Sequence, residues 1–192
     1  MSNLSIFDIA GPIMVGPSSS HTAGACKIGQ FARALYHHTP DKIAFYLHGS
    51  FGEVYKGHAT DRALLAGVMK FRTSDPRLAE AFEIAEEKGL KYQFIPKDLG
   101  KDRHPNTVDV VMESKKNGKM SVIGSSVGGG MIEIVEINGF PVLLKCTAGK
   151  CLSLVVSHKS QPGVIESVIK KIDALPEITA TELTHSKLGD HM

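Results

Sequence analysis

Apolar residues recur at helical spacing in three stretches of the chain. In the first stretch Ala25, Ile28 and Leu35 fall on one face, and the pattern ends before a proline, which cannot continue a helix. The third stretch covers residues 76–88, with Asp75 as its cap and proline at the permitted first position. The sequence therefore predicts three amphipathic helices, which begin near Ala25, near Ala59 and at Pro76.

Strand-like runs precede and follow these helices. Residues 42–48 form a short apolar run rich in β-forming residues. Asn117-Gly118 and Asn138-Gly139 separate later runs, and Asn-Gly favours a hairpin because both central residues take positive φ. Helices followed by an antiparallel meander predict an α+β fold, in which helices pack on one face of a mixed or antiparallel sheet. The later predicted strands cover residues 91–96, 107–115, 119–125, 131–137 and 140–145.

A smaller C-terminal unit is predicted after a short polar hinge at residues 147–150. The main domain then covers residues 1–147, and the second unit covers residues 151–192. In the second unit, a strand-like apolar run is followed by a stretch with apolar residues at helical spacing and then by another strand-like run. This order predicts a βαβ arrangement. Its elements are a strand at 152–157, a turn at 160–163, a helix at 164–175 and a strand at 177–183.

Composition excludes several classes of function. The 22 basic and 20 acidic residues give a formal net charge of +2 without a basic block, so nucleic acid is not an expected partner. No apolar stretch is long enough to span a bilayer, and the N-terminus lacks the pattern of a signal peptide, so a cytoplasmic location is expected. The three cysteines, an odd set, suit reduced thiols and are too few for an iron-sulfur cluster. No metal site is predicted within this chain.

The segment at residues 16–24, GPSSSHTAG, carries the strongest chemical signal. Its hydroxyl groups, together with the unpaired N–H groups of a helix start, can converge on a carboxylate or phosphate. Capping the helix requires one oxygen, and this loop offers four. We therefore predict a site for a small anion formed by Ser18, Ser19, Ser20 and Thr22.

Three histidines are candidates for acid-base chemistry. His58 precedes a helix start, where the helix dipole favours a neutral imidazole, and Asp61 can turn back to fix its tautomer. The turn His104-Pro105-Asn106 offers a donor and an acceptor that could hold the ends of an amino acid. His21 is a substrate contact, a second base or a brace for the hydroxyl groups. Histidines at turns also cap or pack, so spacing alone does not assign the base.

Residues 17–24, 57–61 and 104–106 together resemble the β subunit of the two-chain, iron-sulfur-dependent L-serine dehydratases. The resemblance covers about residues 1–147 and implies an L-serine ammonia-lyase that works without pyridoxal phosphate. It implies a partner α subunit that carries a [4Fe-4S] cluster, with L-serine bound between the chains. The implied base is His58, or alternatively His21 or His104. The implied substrate-binding residues are Ser18, Ser19, Ser20, Thr22, Asp61 and Asn106.

The C-terminal unit resembles the start of an ACT domain, although no residues remain for the rest of that fold. Either the module is shortened or a partner chain completes its sheet, and a homodimer through exposed sheet edges is expected. The main domain also resembles the allosteric substrate-binding domain of some phosphoglycerate dehydrogenases. The alternative function is therefore a non-catalytic regulatory module that binds serine or another small carboxylate.

Overall fold

The computed structural model describes residues 12–146, 153–159, 161–176 and 184–185. A π-helical turn at Ser19–Gly24 runs directly into the first α-helix, and a 3-10 turn at Pro76–Glu80 runs into the fourth. The α-helices are α1 (Ala25–Tyr36), α2 (Gly49–Val54), α3 (Thr60–Val68), α4 (Ala81–Glu87) and α5 (Val164–Asp173). The strands are β1 (Lys42–Leu47), β2 (Lys91–Pro96), β3 (Thr107–Ser114), β4 (Gly118–Gly128), β5 (Met131–Ile137) and β6 (Phe140–Cys146).

The six strands form one mixed sheet in the order β2-β1-β3-β4-β5-β6. β1 pairs with β2 in parallel, and the other neighbouring pairs are antiparallel. Buried and partly buried positions alternate along β3, which is typical of a strand with helices covering one face of the sheet. The predicted α+β class is therefore confirmed.

Helices α1 and α3 approach each other closely, and this contact fixes where the serine-rich segment lies. A Cβ atom at Gly67 would clash with the carbonyl oxygen of Cys26, and one at Gly29 would clash with that of Leu64. α1 also packs on β4, where a Cβ at Gly124 would lie 3.0 Å from a methyl carbon of Ile28. Because the π-helical turn continues into α1, these contacts hold the turn against the end of β4.

The predicted main-domain elements are confirmed, with two differences. The helix expected over residues 76–88 begins as a 3-10 turn, because Asp75 accepts hydrogen bonds at Oδ1 from the N–H of Arg77 and at its carbonyl from Leu78. α2 was not predicted, since the sequence at that point indicated only a turn. The side chain of Phe51 in this helix is fully buried.

The elements predicted for the C-terminal unit differ in outcome. Residues 164–173 form the expected helix, but residues 153–157 form no strand, and the strand predicted at 177–183 lies outside the described residues. Leu154 is 73% exposed, and among the described residues no strand pairs with this apolar run, as a ladder would require. The ACT-like unit is not confirmed. Within the described residues, none of the helices has the length and apolar character of a membrane span.

Candidate functional site

One edge of the sheet brings the three predicted motifs together. Leu47 at the end of β1 pairs with Val108 near the start of β3, and Thr107 pairs with Ser125 near the end of β4. Since β3 is antiparallel to both neighbours, the segment after β1, the turn before β3 and the end of β4 share this edge.

Backbone hydrogen bonds tie the turn at residues 104–106 to this edge. The N–H of Ser126 donates to the carbonyl of Asn106 at 2.9 Å, and the N–H of Phe51 donates to the carbonyl of Pro105 at 3.4 Å. The turn therefore lies between the end of β4 and the start of α2.

The serine-rich segment lies against the same strand end. A Cβ atom at Gly24 would clash with the side chain of Ser126, so glycine lets the π-helical turn contact β4. The N–H of His21 donates to Ser18 Oγ at 3.1 Å, which makes Ser18 the N-cap of the turn. One of the four hydroxyl groups is thus used for capping, and the others remain at the same helix start.

His21 is the residue on which these segments converge. Its Nε2 atom lies 2.9 Å from Ser50 Oγ on α2, and its Nδ1 atom lies 3.2 Å from Ser20 Oγ. The ring centroid is 5.0 Å from that of His58 and 5.4 Å from that of Phe51. The serine-rich segment, α2 and the segment before α3 therefore meet around one imidazole.

The surroundings of His21 favour its neutral form. Burial lowers the pKa of His21 below its ordinary value, and the charge of nearby His58 lowers it further. At neutral pH the ring is therefore uncharged and can accept a proton at one nitrogen while donating from the other.

His58 lies at the surface beside His21. Its side chain is exposed, and within the described part of the chain its ring nitrogens form no hydrogen bond. Its backbone is fixed, because buried Thr22 donates from Oγ1 to the carbonyl of His58 at 3.0 Å. Ala59, which follows, has a left-handed φ of 54°, so the chain turns sharply into α3. The exposed imidazole ring of His58 is therefore attached to a backbone that is held in place.

Asp61 does not orient His58 as the sequence analysis expected. Its carboxylate instead accepts a hydrogen bond at 2.8 Å from the N–H of Arg62, and among the described residues no hydrogen bond joins it to His58. The side chain is 8% exposed, and burial raises the pKa of this carboxyl group. The reason is positional, since a carboxylate in the first turn of a helix accepts from nearby free N–H groups.

A backbone hydrogen bond fixes which ring nitrogen of His104 carries the proton in the neutral form. Its Nδ1 atom accepts a hydrogen bond from the N–H of Asn106 at 3.1 Å. The neutral ring must therefore carry its proton on Nε2. Because the side chain is exposed, His104 presents an N–H donor, which suits a carboxylate better than proton abstraction.

Two residues at this edge, Ser50 and Ser126, were not among the predicted site residues. Ser50 follows the buried strand β1, and its neighbour Gly49 was the available signal, since it marks a break in the chain. Ser126 had no signal in the sequence, and its Oγ atom is buried without a hydrogen-bond partner in the described part of the chain. Of the predicted residues, Ser19 lies in the π-helical turn and is partly buried.

The described side chains do not fit an iron-sulfur cluster. Among them, no group of three histidine, cysteine or acidic residues could hold a metal ion. Cys26 is buried, and burial raises the pKa of its thiol to about 12, so the thiolate that iron requires is strongly disfavoured. The side chains of Cys146 and Cys151 lie outside the described part of the structure.

Comparison with known proteins gives a consistent result. Residues 5–136 match the family model described as serine dehydratase beta chain. The chain is 44% identical over 168 residues to "L-serine dehydratase, beta chain" of Peptoniphilus asaccharolyticus, which covers 88% of this chain and 74% of that protein. It is 44% identical over 164 residues to a "Probable L-serine dehydratase, beta chain" of Bacillus subtilis (strain 168), covering 85% and 72%. The "L-serine dehydratase" of Helicobacter pylori (strain J99 / ATCC 700824) is 31% identical over 216 residues, covering 96% of this chain and 46% of that protein.

Proposed function

We propose, since the chain belongs to the serine dehydratase beta chain family, that it acts with a separate α subunit to convert L-serine to pyruvate and ammonia. The observation that carries this proposal is that Ser50 and His58 meet around His21, with the turn at residues 104–106 bonded to α2 at the same edge of the sheet. The chain is also 44% identical to a protein named as an L-serine dehydratase beta chain. The active site would lie at this edge of the sheet, against the α subunit.

The reaction requires loss of the α-proton and of hydroxide from L-serine. In the proposal, the exposed ring of His58 accepts the α-proton, and neutral His21 holds its place beside that ring through Ser20 and Ser50. The donor at Nε2 of His104 and the side chain of Asn106 bind the substrate carboxylate, together with hydroxyl groups of the serine-rich segment. The aminoacrylate product then hydrolyses to pyruvate and ammonia without further help from the protein.

The cofactor is proposed on the partner chain. The described residues of this chain do not form a cluster site, which is compatible with a [4Fe-4S] cluster ligated by the α subunit. Such a cluster would supply a Lewis acid for the hydroxyl group of the substrate, and the proposal uses no pyridoxal phosphate. A cytoplasmic location is proposed, because it keeps thiols such as Cys26 reduced.

Reconstitution tests the proposed function. The purified chain and a cluster-bearing α subunit, combined under anaerobic conditions, should form pyruvate from L-serine, and neither chain should do so alone. L-serine binding without turnover in any mixture would contradict the enzyme and support a non-catalytic serine-binding module.

A His58→Ala variant tests the assignment of the base. In the complex its kcat should fall by about 100-fold or more with little change in KM, because the lost interaction belongs to proton transfer. His38→Ala, at an exposed histidine after α1, is the control and should retain full activity. An unchanged kcat for His58→Ala would move the base to another residue.

A further inference from the structure

A cavity lies at the opposite end of the sheet from the candidate site. Its volume is about 710 Å³, and it is lined by residues at the starts of β1 and β2 and at the end of β3. The candidate site lies beyond the other ends of β1 and β3. A cavity of this volume is in the range that holds a small-molecule ligand.

The cavity is lined by a surplus of positive charge. Six cationic and two acidic residues line it. Both acidic groups are already engaged, since Glu113 pairs with Lys42 at 3.0 Å and Asp41 accepts from the N–H of Lys115 at 2.9 Å. The remaining lysine ammonium groups form no ion pair within the described part of the chain. The cationic residues are Arg33, Lys42, Lys70, Lys88, Lys91 and Lys115.

Arg33 is the buried member of this group. It is 7% exposed, and its Nη2 atom donates to Thr39 Oγ1 at 3.1 Å. Its Nη1 atom is buried and has no hydrogen-bond partner among the residues that the structure describes. Burying a charged group with an unpaired donor costs free energy of folding. An anion bound near this guanidinium would offset part of that cost.

The helix C-termini near the cavity explain the presence of only some of these cationic residues. α1, α3 and α4 all end near the cavity, and cations are favourable near helix C-termini, which explains Lys70 and Lys88. Lys91 is instead the first residue of β2, and Lys115 directly follows β3. The unpaired Nη1 atom of Arg33 is not explained by a helix dipole either.

We propose that this cavity binds a small organic phosphate, at a site separate from the one around His21. Arg33 lines this cavity, and its permanent positive charge favours a phosphate group bound there. The exposed lysines, which include Lys88 and Lys91, neutralise its charge from the solvent side. The volume leaves room for an organic group beyond the phosphate itself.

Calorimetry on the full chain, with pyrophosphate as the probe at constant ionic strength, tests the proposal. The double variant Lys88→Gln/Lys91→Gln should bind pyrophosphate about tenfold or more weakly, because two lining charges are lost. The control Lys145→Gln/Lys170→Gln makes the same charge change at exposed lysines outside the cavity and should change the affinity less than about twofold. Equal weakening by the two double variants, or no binding by the wild-type chain, would overturn the proposal.

Two further measurements distinguish a phosphate site from a general anion site and from a purely structural role of Arg33. Citrate should bind at least about tenfold more weakly than pyrophosphate, since the ammonium groups of the lysines act as compact point charges that suit the concentrated charge of a phosphate better than the separated carboxylates of citrate. Pyrophosphate should raise the thermal midpoint of the wild-type chain and leave that of Arg33→Met unchanged. Citrate binding as tight as pyrophosphate, or an equal rise in both chains, would overturn the assignment of a phosphate to Arg33.

Discussion

His21 engages both of its ring nitrogens, and the bond from Nε2 to Ser50 at 2.9 Å connects it to α2. Ser50→Ala removes that bond without touching the proposed base, so His21 should lose its fixed orientation beside His58. We expect kcat of the complex to fall by about tenfold, with KM changed much less, because orientation is lost and binding is not. Steady-state kinetics with L-serine measures both constants.

The matched control for this variant is Ser74→Ala, at an exposed serine remote from His21 in the sequence and outside the site. Ser50→Thr keeps the hydroxyl and should recover most of the activity. If Ser50→Ala changed only the thermal midpoint and left kcat intact, Ser50 would serve the fold alone.

Burial of His21 also predicts how stability depends on pH. Its folded-state pKa lies below the ordinary value of 6.5, so as pH falls through 6.5 the unfolded chain takes up a proton before the folded chain does. This difference destabilises the folded state progressively until pH drops below the folded pKa, and it is absent well above pH 6.5. His21→Gln should therefore lose less stability than the wild-type chain between pH 7.5 and pH 5.5, as measured by urea denaturation.

The control for the pH prediction is His38→Gln, at an exposed histidine. Its stability should follow the wild-type pH dependence. Parallel curves for His21→Gln and the wild-type chain would mean that His21 is not held neutral by its surroundings.

At the level of elements, the contact between α1 and α3 depends on glycine. Gly67→Ala would place a methyl group against the carbonyl oxygen of Cys26, and neither backbone can yield without moving a helix. We expect the free energy of unfolding to fall by about 2 kcal/mol or more, as for overpacking in a core. Gly57→Ala is the matched control, because a Cβ there would lie 3.7 Å from the nearest atom, and urea denaturation should show little loss.

Patterns within single elements predicted most of the fold. The apolar stripe on α1 identified a covered face, and Asn-Gly pairs identified two hairpins of the meander. α2 was missed because its six residues include two glycines and have no helical periodicity, while its stability comes from burial of Phe51. The apolar run at 152–157 was predicted as a strand, but its described residues 153–157 form none, because a strand requires a neighbour, which a local pattern does not supply.

At the level of the whole molecule, the site depends on contacts that span long stretches of the sequence. His21 and Ser50 are 29 residues apart, and only the pairing of β1 with β3 and the packing of α1 on β4 bring their elements to one edge. Motifs could therefore predict His21 and His58 as candidates, but not that the two rings lie 5.0 Å apart. The orphaned donor of Arg33 was equally hidden, since burial is a property of the folded chain.

The described core lies within residues 23–137, and this predicts how the chain responds to truncation. Every buried core residue falls between Ala23 and Ile137, whereas α5 has no buried residue. A chain that ends at residue 147 should therefore unfold cooperatively, with a thermal midpoint within about 2 °C of the full chain. A chain that ends at Gly139 also loses β6, whose Val142 and Leu144 pack against the core, and its midpoint should fall by about 5 °C or more. Calorimetry of the three chains measures the thermal midpoint and the cooperativity of unfolding. Loss of the cooperative transition on truncation at residue 147 would show that the residues after 147 are needed for the preceding part of the chain to fold.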